Sequence, residues 1–206
     1  MNTHMIRLCL LCLACLCLSS CLVPDKYLAT LSVSNNGYSL EFIGKMHMAA
    51  SFSDTYKRGA ESPEQLAQGI IKEFERVIRE RPQSKVETQL LSEHSFATKF
   101  SYISPYAYPE ATGMFIFSID GDTLTIASRP ISSKDMAFLK ETKVTSDGTL
   151  CIKAFGTVLE TNAEKTATLL NRCYEWKLKD LDHPVKLVVR FSKPIPMTME
   201  KLIIPQ

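Results

Sequence analysis

The chain has 206 residues, 45% hydrophobic and 22% charged, with 24 Lys and Arg against 22 Asp and Glu. This length is sufficient for one domain with a buried core, and the apolar content excludes a disordered chain. The formal charge of +2 and the absence of a run of like charges exclude a dominant nucleic-acid-binding surface. Seven cysteines are present, and five of them lie between Cys9 and Cys21.

Residues 1–20 predict a cleaved export signal. Arg7 is the only charged residue before an unbroken apolar run from Leu8 to Leu18. As a helix this run would span roughly 16 Å, about half of a bilayer's hydrocarbon core, which is too short for a transmembrane helix. A metal site formed by these cysteines is disfavoured, because they would lie in an apolar helix without polar turn residues.

The segment Leu18-Ser19-Ser20-Cys21 resembles the lipobox of bacterial lipoproteins. The resemblance implies cleavage between Ser20 and Cys21 and acylation of the Cys21 thiol, with palmitate-type chains as a membrane anchor. Several acyl chains hold a protein firmly, since each buried CH₂ contributes about 0.8 kcal/mol. Leu22 stands where inner-membrane retention signals of this family place Asp, so the resemblance implies the inner leaflet of the outer membrane, facing the periplasm.

The mature chain, residues 21–206, is expected to form a single lipid-anchored periplasmic domain. Alternation of apolar and polar residues predicts strands, and Asn36-Gly37, Asp120-Gly121 and Asp147-Gly148 predict turns next to them. The predicted strands are residues 27–33, 38–43, 97–103, 114–119, 123–127, 150–155, 174–178 and 185–191.

One strong helix is predicted at about residues 62–81. Ser62 and Gln65 form a capping-box pattern, Pro63 suits the first turn, and Pro82 ends the helix. A shorter helix is predicted at about residues 133–141. Because the amphipathic helix and the strands must cover each other's apolar faces, the expected fold is α+β, with antiparallel sheet covered by the long helix. The predicted apolar stripe of the helix consists of Leu66, Ile70, Phe74, Val77 and Ile78.

Two cysteines, Cys151 and Cys173, remain after the lipidation site. In an oxidising compartment such a pair tends to form a disulfide, although two buried free thiols are the alternative. Met46-His47-Met48 contains ligands that suit Cu(I), but in a strand the two methionines would face the core and His47 the other side. We therefore expect no metal and no cofactor.

The Tyr- and Pro-rich stretch 102–109 offers a further candidate. Tyr102, Tyr106 and Tyr108 could form a contact surface for a partner, but we favour a loop folded over the sheet edge with its rings packed inward. The apolar tail after Pro194 is likewise expected to dock on its own domain.

Taken together, these features resemble a family of uncharacterised proteobacterial envelope lipoproteins. The features that carry the resemblance are Cys21, the hairpin at 27–43 with Gly37 and Gly44, the Asp147-Gly148 strand, the segment 156–162 and Trp176. The resemblance implies envelope location and a β-rich fold. It implies no activity.

The sequence contains no catalytic motif of the hydrolase, metalloprotease, P-loop or dinucleotide-binding type. The histidines of the mature chain, His47, His94 and His183, are far apart in the sequence. We therefore expect a non-enzymatic lipoprotein that acts by contact with envelope proteins or polymers. The alternative is a periplasmic binding module for a lipid or small apolar ligand, held between the helix and the sheet.

Overall fold

The computed structural model describes residues 22–48, 62–108, 112–131, 133–141, 144–169, 171–179 and 183–196. These residues form ten strands and two helices. The elements are β1 (Leu22–Ser34), β2 (Gly37–Met48), α1 (Pro63–Arg79), β3 (Lys85–Ser92), β4 (Ser95–Ser104), β5 (Phe115–Asp120), β6 (Thr123–Ser128), α2 (Ser133–Glu141), β7 (Gly148–Ala154), β8 (Thr157–Thr161), β9 (Tyr174–Leu178) and β10 (Lys186–Arg190). The α+β class is confirmed, and every strand predicted from alternation is present.

The larger sheet has six strands in the order β3-β4-β2-β1-β7-β9, and the smaller has four in the order β5-β6-β10-β8. The expectation of purely antiparallel sheet is wrong at one place. β1 and β7 run parallel, from Tyr27 opposite Gly148 to Val33 opposite Ala154. A parallel pair needs a long connection rather than a tight turn, and here the connection contains most of the other elements. β3 and β8 were not predicted.

One buried cluster joins the two sheets and α1. One face of the six-stranded sheet, here called the inner face, contributes Leu31, Leu40 and Trp176, which have no exposed surface. Leu124 and Leu187 of the four-stranded sheet belong to the same cluster. The side chains of a strand point alternately to the two faces of its sheet. The residues next to these buried positions therefore point to the opposite face, here called the outer face.

The predicted capping box at the start of α1 is confirmed. The Gln65 amide N–H donates to Ser62 Oγ, and the Ser62 amide N–H donates to Gln65 Oε1, both at 3.3 Å. The helix has 17 residues and ends at Arg79, slightly before the predicted end. The predicted apolar stripe of the helix is only partly right. Phe74 and Ile78 are buried as predicted, but Leu66 and Ile70 are only partly buried. Ala67 and Ile71, which were not predicted, are buried with them.

The turn between β1 and β2 lies one residue earlier than predicted, at Asn35 and Asn36. Gly37 begins β2 with a φ of 146°, and a Cβ at this position would lie 2.5 Å from the carbonyl oxygen of Ser104. Glycine is therefore required here both by the backbone conformation and by the close approach of β4. At the predicted Asp120-Gly121 turn, Gly121 adopts a φ of 59°.

The second helix, α2, packs against the larger sheet near the start of β1. Leu139 and Val144 are buried against Val23 of β1 in a separate small cluster. Val23 pairs with His47 in the register of β1 and β2, so α2 covers the outer face only where β1 begins and β2 ends. In the described part of the chain, neither helix covers the rest of the outer face.

Candidate contact surface

The uncovered part of the outer face carries an exposed aliphatic pair. Leu28 and Ile43 stand directly opposite each other on β1 and β2, and their exposed fractions are 60% and 50%. Their immediate neighbours Ala29 and Phe42, also a cross-strand pair, are buried on the inner face. Exposed aliphatic side chains that adjoin across strands form a continuous apolar surface, which is the type of surface that partners bind.

A groove of about 510 Å³ runs across this face over four strands, β3, β4, β2 and β1. Its floor combines the aliphatic pair with charged and hydroxyl side chains. The outward-facing residues that line it are Leu28, Thr30, Glu41, Ile43, Lys85, Glu87, Lys99 and Ser101. This volume lies within the range of ligand-binding clefts, and the mixture of aliphatic and charged groups is common at protein interfaces.

The charges of the groove are available to a partner. Glu87 stands opposite Lys99 in the register of β3 and β4, yet none of the ion pairs among the described residues involves Glu41, Lys85, Glu87 or Lys99. All four side chains are exposed. Exposed charges of both signs contribute little to stability but select partners by complementarity.

Cys151 and Cys173 also lie at this face. Their Sγ atoms are 2.07 Å apart and their Cα atoms 5.4 Å apart, which is the distance of a disulfide bond. Cys151 on β7 stands opposite Thr30 of β1, and Cys173 directly precedes β9. The bond therefore links β7, the strand next to the groove, to the start of the edge strand β9.

A polar cluster lies where α2 meets the outer face. The carboxylate of Asp25, a residue only 6% exposed, lies 3.3 Å from His47 Nε2 and accepts from Thr145 Oγ1 at 3.5 Å. Burial lowers the pKa of the His47 imidazole below its usual value, an effect that the nearby Asp25 carboxylate partly offsets. These contacts join β1, β2 and the segment after α2, and so have a structural role.

The strand geometry expected for Met46-His47-Met48 is confirmed. Met46 and Met48 are each 1% exposed on the inner face, while His47 points to the outer face. Within the described parts of the chain, no group of three or more His, Cys, Asp or Glu side chains could hold a metal ion.

Two of the three rings of the tyrosine stretch pack inward, as the favoured prediction states, and the third does not. Tyr102 is 1% exposed on β4, and the Tyr106 hydroxyl donates to the carbonyl oxygen of Ser34 at 2.8 Å, so neither offers its ring to a partner. Tyr108 is 40% exposed, and the Arg81 guanidinium lies 5.1 Å from its ring centre. A contact surface made of all three tyrosines is therefore wrong, because two of the rings belong to the core or its rim.

The alternative function places a ligand between α1 and the sheet. This space holds aromatic side chains in direct contact. The Phe74 ring packs edge-on against Phe96 and Phe100, with ring centres 5.4 Å and 5.6 Å apart. Phe100 stacks in turn on Phe42 at 5.0 Å. The helix stripe thus fills the core at this place.

The predicted signal peptide, its cleavage site at Ser20, the lipidation site Cys21 and the tail after Pro196 lie outside the described residues. Ile195, the last apolar residue before that tail, is 4% exposed and donates its amide N–H to the carbonyl oxygen of Gly121 at 3.0 Å. The described residues that lead into the tail are therefore packed on the domain, as expected.

Among the described residues, neither helix has the length and hydropathy needed to cross a bilayer. Comparison with known proteins adds no relative: no protein-family model matches the sequence, and no curated protein and no solved structure is similar to it.

Sequence reasoning missed the aliphatic pair, although a signal for it exists. In the alternating pattern around Tyr27 and Ala29, Leu28 occupies a position that should be polar, and Ile43 does the same after Phe42. An apolar residue in the solvent-facing phase of a strand indicates either a second buried face or a contact surface. The pairing of Leu28 with Ile43 joins two such residues into one surface.

Proposed function

We propose that this protein is a non-enzymatic outer-membrane lipoprotein, anchored through Cys21 after removal of residues 1–20, that acts by contact with envelope proteins or polymers through its outer face. The lipobox supports the anchor. The contact function depends on one observation, the exposed pair of Leu28 and Ile43 in a groove lined by charged side chains without described ion-pair partners. The periplasmic location follows from the same anchor.

The anchor is tested by metabolic labelling with a fatty-acid analogue. Wild type is expected to be labelled and Cys21→Ala to lose the label completely, since acylation requires this thiol. Cys17→Ala is the matched control and should keep the label, because Cys17 follows the large Leu16 rather than two small residues. Label that persists in Cys21→Ala would contradict the anchor and, with it, the proposed location.

The membrane to which the protein is sorted is tested by density-gradient separation of the two membranes. Leu22→Asp is expected to move the protein from the outer to the inner membrane. Leu22 is only 9% exposed, so Leu22→Asn serves as the control for lost packing and should remain in the outer-membrane fraction. Wild type in the inner-membrane fraction would contradict the proposed location.

The contact surface is tested with a photo-crosslinking amino acid placed at position 43 or at position 116 in living cells. Ile116, on the four-stranded sheet, is 44% exposed and matches Ile43 in residue type and exposure. Discrete adducts are expected from position 43 and not from position 116, and Ile43→Ser should abolish capture of the partner so identified. Equal adducts from both positions would contradict a contact function of the outer face.

A further inference from the structure

The folded domain begins immediately after the proposed lipid attachment site. Leu22 directly follows Cys21, pairs with Met48 and is 9% exposed, and Val23 is 5% exposed. Residues that are paired and buried cannot act as a flexible linker. An acyl chain on Cys21 would therefore hold this end of the sheet, and not merely the protein, at the bilayer surface.

The turn between β3 and β4 lies at the same end. The Met48 amide N–H donates to the carbonyl oxygen of His94 at 2.9 Å, so the Glu93–His94 turn is fixed beside the end of β2. Because adjacent strands are about 4.8 Å apart, this places the turn about 10 Å from Leu22 in the plane of the sheet. We call the end formed by Leu22, Met48, Leu91 and this turn the proximal end.

Leu91 is the exposed apolar group of the proximal end. Its side chain is 46% exposed two residues before the turn, at the irregularity in pairing between Leu90 and Ser92. A bulge redirects the side chains of an edge strand. An exposed leucine beside a lipid attachment point can enter the boundary between headgroups and acyl chains, where burial of each CH₂ contributes about 0.8 kcal/mol.

The opposite end of the sheet, here called the distal end, includes the Asn35–Asn36 turn and Phe155. The amide N–H of Phe155 donates to the carbonyl oxygen of Val33 at 3.0 Å, and Phe155 is 61% exposed. β1 has 13 residues, and at about 3.3 Å per residue it separates the two ends by about 40 Å.

We propose that the proximal end is a membrane-docking surface: the acyl group of Cys21 and the side chain of Leu91 together hold the domain with β1 pointing away from the bilayer. This inference depends on the proposed function, since it requires acylation of Cys21. It adds an orientation to the anchor. The aliphatic pair at Leu28 and Ile43 then lies about 20 Å above the membrane, within reach of another envelope component.

The test uses full-length acylated protein in vesicles of phosphatidylethanolamine and phosphatidylglycerol that contain doxyl-labelled lipid as a quencher. A fluorophore is attached to one introduced thiol, in Glu93→Cys, Asn36→Cys or Phe155→Cys; Glu93 is exposed in the proximal turn, and labelling there leaves Leu91 in place. Cys21 would be acylated, and Cys151 and Cys173 are at disulfide distance, so the new thiol is the reactive one. Quenching at position 93 is expected to be several-fold stronger than at positions 36 and 155.

Equal quenching at the three positions, or stronger quenching at position 36 or 155, would overturn the orientation. Failure of the orientation is distinguishable from failure of the anchor. Protein that floats with the vesicles and carries an acylated N-terminal peptide by mass spectrometry, yet shows no quenching at position 93, overturns only the orientation. Protein that carries no acyl group overturns the proposed function itself.

Discussion

The inner and outer faces of the six-stranded sheet are built from adjacent residues of the same strands, yet they differ sharply. On the inner face Leu31 and Leu40 stand opposite each other and are fully buried, whereas on the outer face Leu28 and Ile43 stand opposite each other and are half exposed or more. The apolar character of the inner pair is explained by its burial in the core. The outer pair makes no comparable contribution to folding, and the contact function that we propose would account for its apolar character.

The largest expected difference between the faces is in stability. Trp176→Ala removes a fully buried inner-face ring, whose Nε1–H donates to Asn162 Oδ1 at 2.9 Å, and should lower the free energy of unfolding by about 3–5 kcal/mol. Ile43→Ala on the outer face should change it by less than about 0.5 kcal/mol. Urea denaturation measures the free energy of unfolding of both variants. Similar losses of stability in the two would contradict the difference between the faces.

The second prediction concerns the covalent link beside the groove. Replacing both Cys151 and Cys173 by Ser should lower the free energy of unfolding by about 3 kcal/mol, because the crosslink restricts the unfolded chain across a separation of 22 residues. Reductant should destabilise wild type and leave the double variant unchanged. Two free thiols in the native protein, found by mass spectrometry of alkylated peptides, would contradict this prediction.

The third prediction separates the two tyrosines of one loop. Tyr106→Phe removes the hydroxyl that donates to Ser34 and should cost about 0.5–1.5 kcal/mol in the free energy of unfolding. Tyr108→Phe is the matched control at the exposed ring and should leave stability unchanged. If Tyr108→Phe lowers the free energy of unfolding as much as Tyr106→Phe does, the loop is not divided into a packed and an exposed part.

The smallest expected effect is a pH dependence from the outer-face cluster of Asp25 and His47. Because burial lowers the pKa of His47 below 6.5, the unfolded state binds a proton more readily than the folded state does. The associated stability is therefore complete above pH 6.5 and decreases as the pH falls below it. His47→Gln should flatten the stability profile in this window, with His183→Gln as control, and an unchanged profile would contradict the prediction.

Much of the fold follows from local sequence. The β1–β2 and β5–β6 hairpins combine alternation with turn residues, and the capping box sets the start of α1, so each is specified by a few neighbouring side chains. β3 was not recognised because Lys85, Glu87 and Gln89 fill one face of an edge strand that follows a proline-ended helix. The parallel pairing of β1 with β7 has no local signal, because it joins segments that are distant in sequence.

The candidate site was harder to predict than the fold for a related reason. Tyr102, Tyr106 and Tyr108 are similar in the sequence. Tyr102 is buried because of its place on β4, and the Tyr106 ring is covered because the loop packs it against Tyr38 and Phe117. Leu28 and Ile43 form one surface only through strand register. Residue type can suggest a binding surface, but burial and register decide whether the residues are exposed together.

The position of β1 in the larger sheet has a consequence for the export that we propose. The first strand of the domain lies in the interior of the sheet, with β2 on one side and β7 on the other, and β7 is the fourth-last strand along the chain. During translocation from the N-terminus, β1 can pair with β2 early, but its other edge remains open until β7 has been exported. We therefore expect a nascent chain that stops before Gly148 to depend on periplasmic chaperones far more than the complete domain does.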